Sequence, residues 1–113
     1  MITLQHFLDA PLFHMLVLRG GKEGLNHEIT GINVIESVDL SKFCQANEII
    51  ISTGIHLSGN TEALLDLITT LARKRTAGLI INIGPYISKI PAEAITLANA
   101  LQFPIFEMIG VTA

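Results

Sequence analysis

Apolar positions along this chain change their period several times. Ile49-Ile50-Ile51 is a continuous run, too short for a helix and without the alternation of a strand that is half in water. From Asn60, which can cap a helix, the period becomes helical for about 16 residues, with Leu64, Leu65, Ile68, Leu71 and Ala72 on one face. Gly78 then leads into a second run, Leu79-Ile80-Ile81-Asn82-Ile83. A second helical stretch follows, Ala92 to Leu101, turning Ile95, Ala98 and Leu101 inward. Phe103-Pro104 breaks that helix and opens a third strand, Ile105-Phe106-Glu107. Apolar strands separated by amphipathic helices are the pattern of parallel strands covered on both faces.

The first half is less regular. Thr3 is placed to cap a short helix, Leu4 to Ala10, ended by Pro11. Phe13 to Leu18 reads as a strand closed by Arg19-Gly20-Gly21, a turn that needs positive φ. After a loop over Lys22 to Glu28, the β-branched stretch Ile29 to Glu36 is extended, and Asp39 caps one helical turn reaching Phe43. The predicted fold is therefore α/β. It has a mostly parallel sheet with a βαβαβ core, strands near residues 49–52, 79–83 and 105–108, flanking helices, an N-terminal helix and further extended segments.

In open α/β sheets ligands gather outside the carboxyl ends of the strands. The segments expected there are the ends of the strands themselves, Ser52 to Gly59, and Gly84 to Ile90. That placement nominates Glu36, Ser37, Ser52, Thr53, Gly54, Asn82, Gly84 and Tyr86 as contacts for a small polar ligand. Ser52 and Thr53 bring hydroxyls, Gly54 lets backbone approach closely, and Tyr86 has a ring that can stack. Asn60 and the first amides of the following helix add a partial positive charge. A strand terminator followed by an N-cap explains the Ser52–Asn60 stretch equally well, and Tyr86 suits a loop residue flanking the core better than a stacking ring.

Catalytic chemistry is thin. The chain has no Gly-x-x-x-x-Gly-Lys-Ser/Thr phosphate loop and no Gly-x-Gly-x-x-Gly after a strand. His6, His14, His27 and His56 show no helical pairing with an acidic partner, so no metal site and no cofactor are expected. Glu36 and Glu107 could both stand at strand ends, where carboxylates commonly serve turns and caps. Cys44, the single cysteine, has no partner for an internal disulfide and no cation fixed beside it in sequence to activate it. Nothing here equips an enzyme.

Composition alters this picture in one respect. The 113 residues suit a single domain of net charge −3, with 50% hydrophobic and 15% charged residues, against about 25% charged in ordinary domains. So little charge implies that part of the surface is covered, by a second copy of the chain or by downstream domains. The sole basic cluster, Arg73-Lys74-Arg75, suits a helix C-terminus better than a nucleic-acid surface. No apolar run approaches the roughly 20 residues of a membrane span, and no secretory signal opens the chain, so a cytoplasmic protein is expected. The apolar tail of Phe-Pro-Ile-Phe-Glu-Met-Ile-Gly-Val-Thr-Ala at residues 103–113 suggests the N-terminal piece of a longer polypeptide.

Several blocks, in order, carry a family resemblance: ITLQHFLDAP, GKEGLNHEITGINVIES, FCQANEIIISTG and AGLIINIGPYISKIPAEAITLANALQFPIFEM. Together they resemble the N-terminal domain of the purine catabolism regulator (PucR) family of bacterial transcription regulators, over essentially the whole chain. The resemblance implies a non-catalytic sensory domain, residues 1–113, ahead of a C-terminal helix-turn-helix region that would supply all DNA contact. It implies a purine-related or other metabolite as effector, although the loop IHLSGN holds no residue that dictates purine recognition. An interaction or dimerisation module without a ligand is the alternative.

Overall fold

Three short apolar runs become the centre of one sheet. The computed structural model describes residues 2–9, 15–84 and 86–109. Its strands are β1 (Leu16–Gly20), β2 (Gly31–Val34), β3 (Glu48–Ser52), β4 (Gly78–Asn82) and β5 (Ile105–Met108), in the spatial order β1-β5-β4-β3-β2. β2, β3, β4 and β5 run parallel, and β1 closes the far edge antiparallel to β5. The helices are α1 (Leu4–Leu8), α2 (Thr61–Arg73) and α3 (Ala92–Leu101), joined by 3-10 turns at Lys22–Gly24, Val38–Phe43 and Ile55–Leu57. The fold is α/β with a βαβαβ core, as the hydrophobic pattern indicates.

α2 begins where Asn60 caps it, the side chain accepting from the Ala63 N–H at 3.0 Å. It is shorter than the periodicity suggests and ends at Arg73. Its buried face is Leu64, Leu67, Ile68 and Leu71, with Leu65 and Ala72 at the flanks. α3 has the predicted span, but Ala94 and Ala98 are its buried residues, and Leu101 in the last turn is exposed. The small side chains let α3 lie close to both the sheet and α2. The turn spans Val38–Phe43 and so starts one residue before Asp39. The proposed N-terminal helix stops at Leu8 among the described residues; Ala10, Pro11, Phe13 and His14 lie outside them, as does the tail beyond Ile109.

Because the chain steps through β3, β4 and β5 in one direction, its right-handed crossovers place α2 and α3 on the same face. Their core includes Ile50, Leu79, Ile81 and Ile105 from the sheet. The opposite face has a smaller core, in which Leu4 of α1 covers Ile49, Ile80 and Phe106. The expectation of cover on both faces thus holds for the central strands and lapses at β2, where Ile32 and Val34 are exposed.

The seam between β1 and β5 carries a bulge. Leu18 pairs with Phe106 and Gly20 with Ile105, so Arg19 is the extra residue, turned out of the ladder toward Glu107. Gly21 follows at φ 75°, and a Cβ there would lie 2.0 Å from the Phe103 carbonyl oxygen. Its N–H donates to Asn99 Oδ1 at 2.8 Å, tying the strand end to α3.

Candidate functional site

The rim at the carboxyl ends of β2, β3 and β4 holds most of the nominated residues, and several of them are engaged with one another. The Glu36 carboxylate accepts from the Thr53 N–H at 2.9 Å and from the Thr53 hydroxyl. Ser52 is fully buried, and its hydroxyl accepts from the Gly54 N–H at 2.9 Å. Gly54, at φ 80°, sits so close to the next loop that a Cβ would lie 2.6 Å from Ile87 Cδ1. These contacts build a firm β3–α2 junction, with Ser52 beneath the rim rather than on it. Ser37 is half-buried beside Glu36 at the end of β2. Gly84, at φ 125°, donates its N–H to the Ile87 carbonyl at 2.9 Å and so closes the β4–α3 loop on itself.

Two polar groups at this rim stand out for the opposite reason. Asn82 Oδ1 and both ring nitrogens of His56 are buried with no hydrogen-bond partner among the described residues, a costly arrangement for groups that bond strongly to water. Burial pushes the His56 imidazole below its usual pKa, and the Glu36 carboxylate pulls the other way without reversing it. Its surroundings therefore favour the neutral imidazole over the charged one.

The open space lies on the helix side of the rim. A cavity of about 190 Å³ opens between the start of α2 and the β4–α3 loop. Asn60 and Thr61 line one wall, Tyr86, Ser88 and Lys89 the other, and Leu57, Leu64 and Ile87 give it an apolar floor. A second cavity of about 370 Å³ lies across the same loop, bounded by Arg19, Lys89, Ile95 and Glu107. Glu107 is buried. Its Oε1 receives Arg19 Nε and Nη2, both at 2.8 Å, and its Oε2 receives the Ile90 N–H at 2.9 Å. The carboxylate thereby fixes the end of the β4–α3 loop and the position of Lys89 between the two cavities.

The strand order explains why the rim is divided. A shared crevice forms where successive crossovers diverge to opposite faces of a sheet, and here β2 to β5 progress without reversal. Of the eight residues nominated as contacts, Tyr86 lines the 190 Å³ cavity, together with Asn60, whose helix start the sequence offered as a source of positive charge. Thr61, Ser88 and Lys89, which also line it, were not among the nominated contacts. Lys89 was legible only as a loop cation, because its placement depends on the long-range bond from Ile90 to Glu107.

Cys44 is buried, and burial followed by the Glu48 carboxylate raises its thiol pKa against a smaller opposing effect of Lys74. Among the described residues, no group of three His, Cys, Asp or Glu side chains is placed to hold a metal ion, and no helix is long and apolar enough to cross a membrane.

Residues 6–112 match the purine catabolism regulatory protein-like family. The chain belongs to that family. It is also 35% identical over 101 residues to the purine catabolism regulatory protein of Bacillus subtilis (strain 168). That match covers 89% of this chain but 19% of the relative, so the chain spans about a fifth of the curated protein it matches. The matched residues take in α2, α3, all five strands and both rim cavities. Membership places the chain in a family of regulatory proteins.

Proposed function

We propose that this domain is the non-catalytic sensory part of a bacterial transcription regulator and binds a small polar metabolite at the helix side of the rim. The observation that carries the reading is the 190 Å³ cavity between α2 and the β4–α3 loop. Tyr86 offers a face for a flat ring, Ser88 and Thr61 offer hydroxyls, and Lys89 offers a cation beside the amino end of α2. This set suits a planar, partly anionic metabolite such as a purine or a ureide. Signalling then passes to a helix-turn-helix region elsewhere in the polypeptide, in the cytoplasm, through movement of the β4–α3 loop that Glu107 anchors. The kinship with a purine catabolism regulatory protein supports the effector class.

Thermal unfolding of the chain with a panel of purines, ureides and nucleotides tests this. A ligand at about a hundred times its Kd raises the melting temperature by roughly 10 °C or more. Lys89→Ala and Tyr86→Ala are expected to abolish that shift while leaving the unliganded melting temperature in place. No stabilisation by any compound, with the intact regulator still responding to its inducer, would sink the proposal.

A further inference from the structure

The two edges of the sheet differ in how they meet solvent. β1 is blunted by the bulge at Arg19 and by the charge of that residue, devices that discourage strand addition. β2, Gly-Ile-Asn-Val, has neither charge nor proline nor bulge. Its hydrogen bonding to β3 determines what it presents outward. Val34 pairs with Ile51, and the Ile35 N–H donates to the Ile51 carbonyl at 2.9 Å. In a parallel ladder the groups of Gly31, Asn33 and Ile35 then face β3, and the N–H and C=O of Ile32 and Val34 face away.

The side chains of the same two residues are the exposed apolar ones. Ile35 points into the core beneath α2 and α3, so Ile32 and Val34 lie on the opposite face. There they are 53% and 61% exposed, beyond the reach of α1. Unpaired backbone and uncovered apolar side chains therefore coincide at two positions, symmetric about Asn33.

We propose that two copies of the domain join edge to edge through β2, antiparallel about a two-fold axis at Asn33. In this register Ile32 of one copy lies across from Val34 of the other, and each exchanges both its N–H and its C=O with that partner. Every outward backbone group of β2 is then satisfied. The four exposed apolar side chains meet on one face, and Asn33 faces Asn33 on the other. Glu36 lies across from Thr30, so no like charges oppose each other. The five strands of each copy become halves of one continuous sheet. This self-complementarity singles out a second copy as the occupant, since one short sequence supplies both sides of the match. The inference is independent of the effector reading.

Sedimentation of the chain over a range of concentrations, together with directed crosslinking, tests it. The wild-type chain is expected to dimerise, and Val34→Lys to weaken association by about tenfold or more. Its circular dichroism should be unchanged, because Val34 is exposed. In a Cys44→Ser background, Asn33→Cys is expected to form a disulfide-linked dimer on mild oxidation. The symmetric pair sits at a non-hydrogen-bonded site, where Cα atoms come within about 4.5 Å. Ile32→Cys, whose partner position is residue 34, is expected to crosslink far less. A monomer at all concentrations, a dimer indifferent to Val34→Lys, or equal crosslinking from positions 32 and 33 would each overturn the proposal; a monomer that binds an extended segment from elsewhere would assign the edge to that segment instead.

Discussion

Glu107 joins three parts of the molecule through one carboxylate: β5, the bulge in β1 and the end of the β4–α3 loop. Replacing it with alanine strands the Ile90 N–H and leaves Arg19 without its counter-ion. The expected cost is about 2–4 kcal/mol, discounted from a fully buried pair because Arg19 is 41% exposed. Glu107→Gln keeps an acceptor for Ile90 and is expected to cost about half as much, measured by urea denaturation. His56 gives a second expectation at this scale. Its folded pKa lies below its unfolded value near 6.5, so the unfolded chain takes up the proton first. Its contribution is complete above that value and is lost as the pH falls through the depressed folded pKa. Denaturation midpoints should therefore decline on acidification from neutral pH, and His56→Gln should flatten that part of the decline. Sequence nominated the residues of this rim by their place at strand ends, and that part was legible. It could not show that Glu36 and Thr53 would bind each other, because their partnership depends on β2 lying beside β3.

At the scale of elements, α2 owes its start to Asn60. Asn60→Ala is expected to lower stability by about 1 kcal/mol, through loss of the bond to Ala63 N–H. Calorimetry of the variant checks this, and Asn60→Asp should recover most of the loss. The βαβαβ pattern was readable because buried parallel strands and amphipathic helices leave different periods in a sequence. The antiparallel placement of β1 was not readable, since its pairing with β5 is made across most of the chain. Leu101 misled because it continues the apolar period of α3 and yet is exposed in the last turn. Gly21 was legible because a positive φ after a strand leaves few other choices, and the contact with Phe103 shows why the turn is so tight.

For the molecule as a whole, one progression of strands accounts for both the one-sided placement of α2 and α3 and the divided rim. Its only departure is β1, which crosses from the start of the described sheet to pair with the last strand. Arg19 and Glu107 are 88 positions apart, whereas each step from β2 to β5 joins neighbours in sequence. Closing a long loop costs more entropy than closing short ones. The order of assembly is thus written into the strand order: β2 to β5 can zip up as successive neighbours, and β1 must wait for β5 before it has anything to pair with. Pulse-labelled hydrogen exchange is expected to find the amides of β3 and β4 protected ahead of those of β1; the reverse order would contradict it. During synthesis the first strand of this sheet to leave the ribosome would then be the last to be seated, and until that moment the Glu107 carboxylate has no Arg19 to meet it.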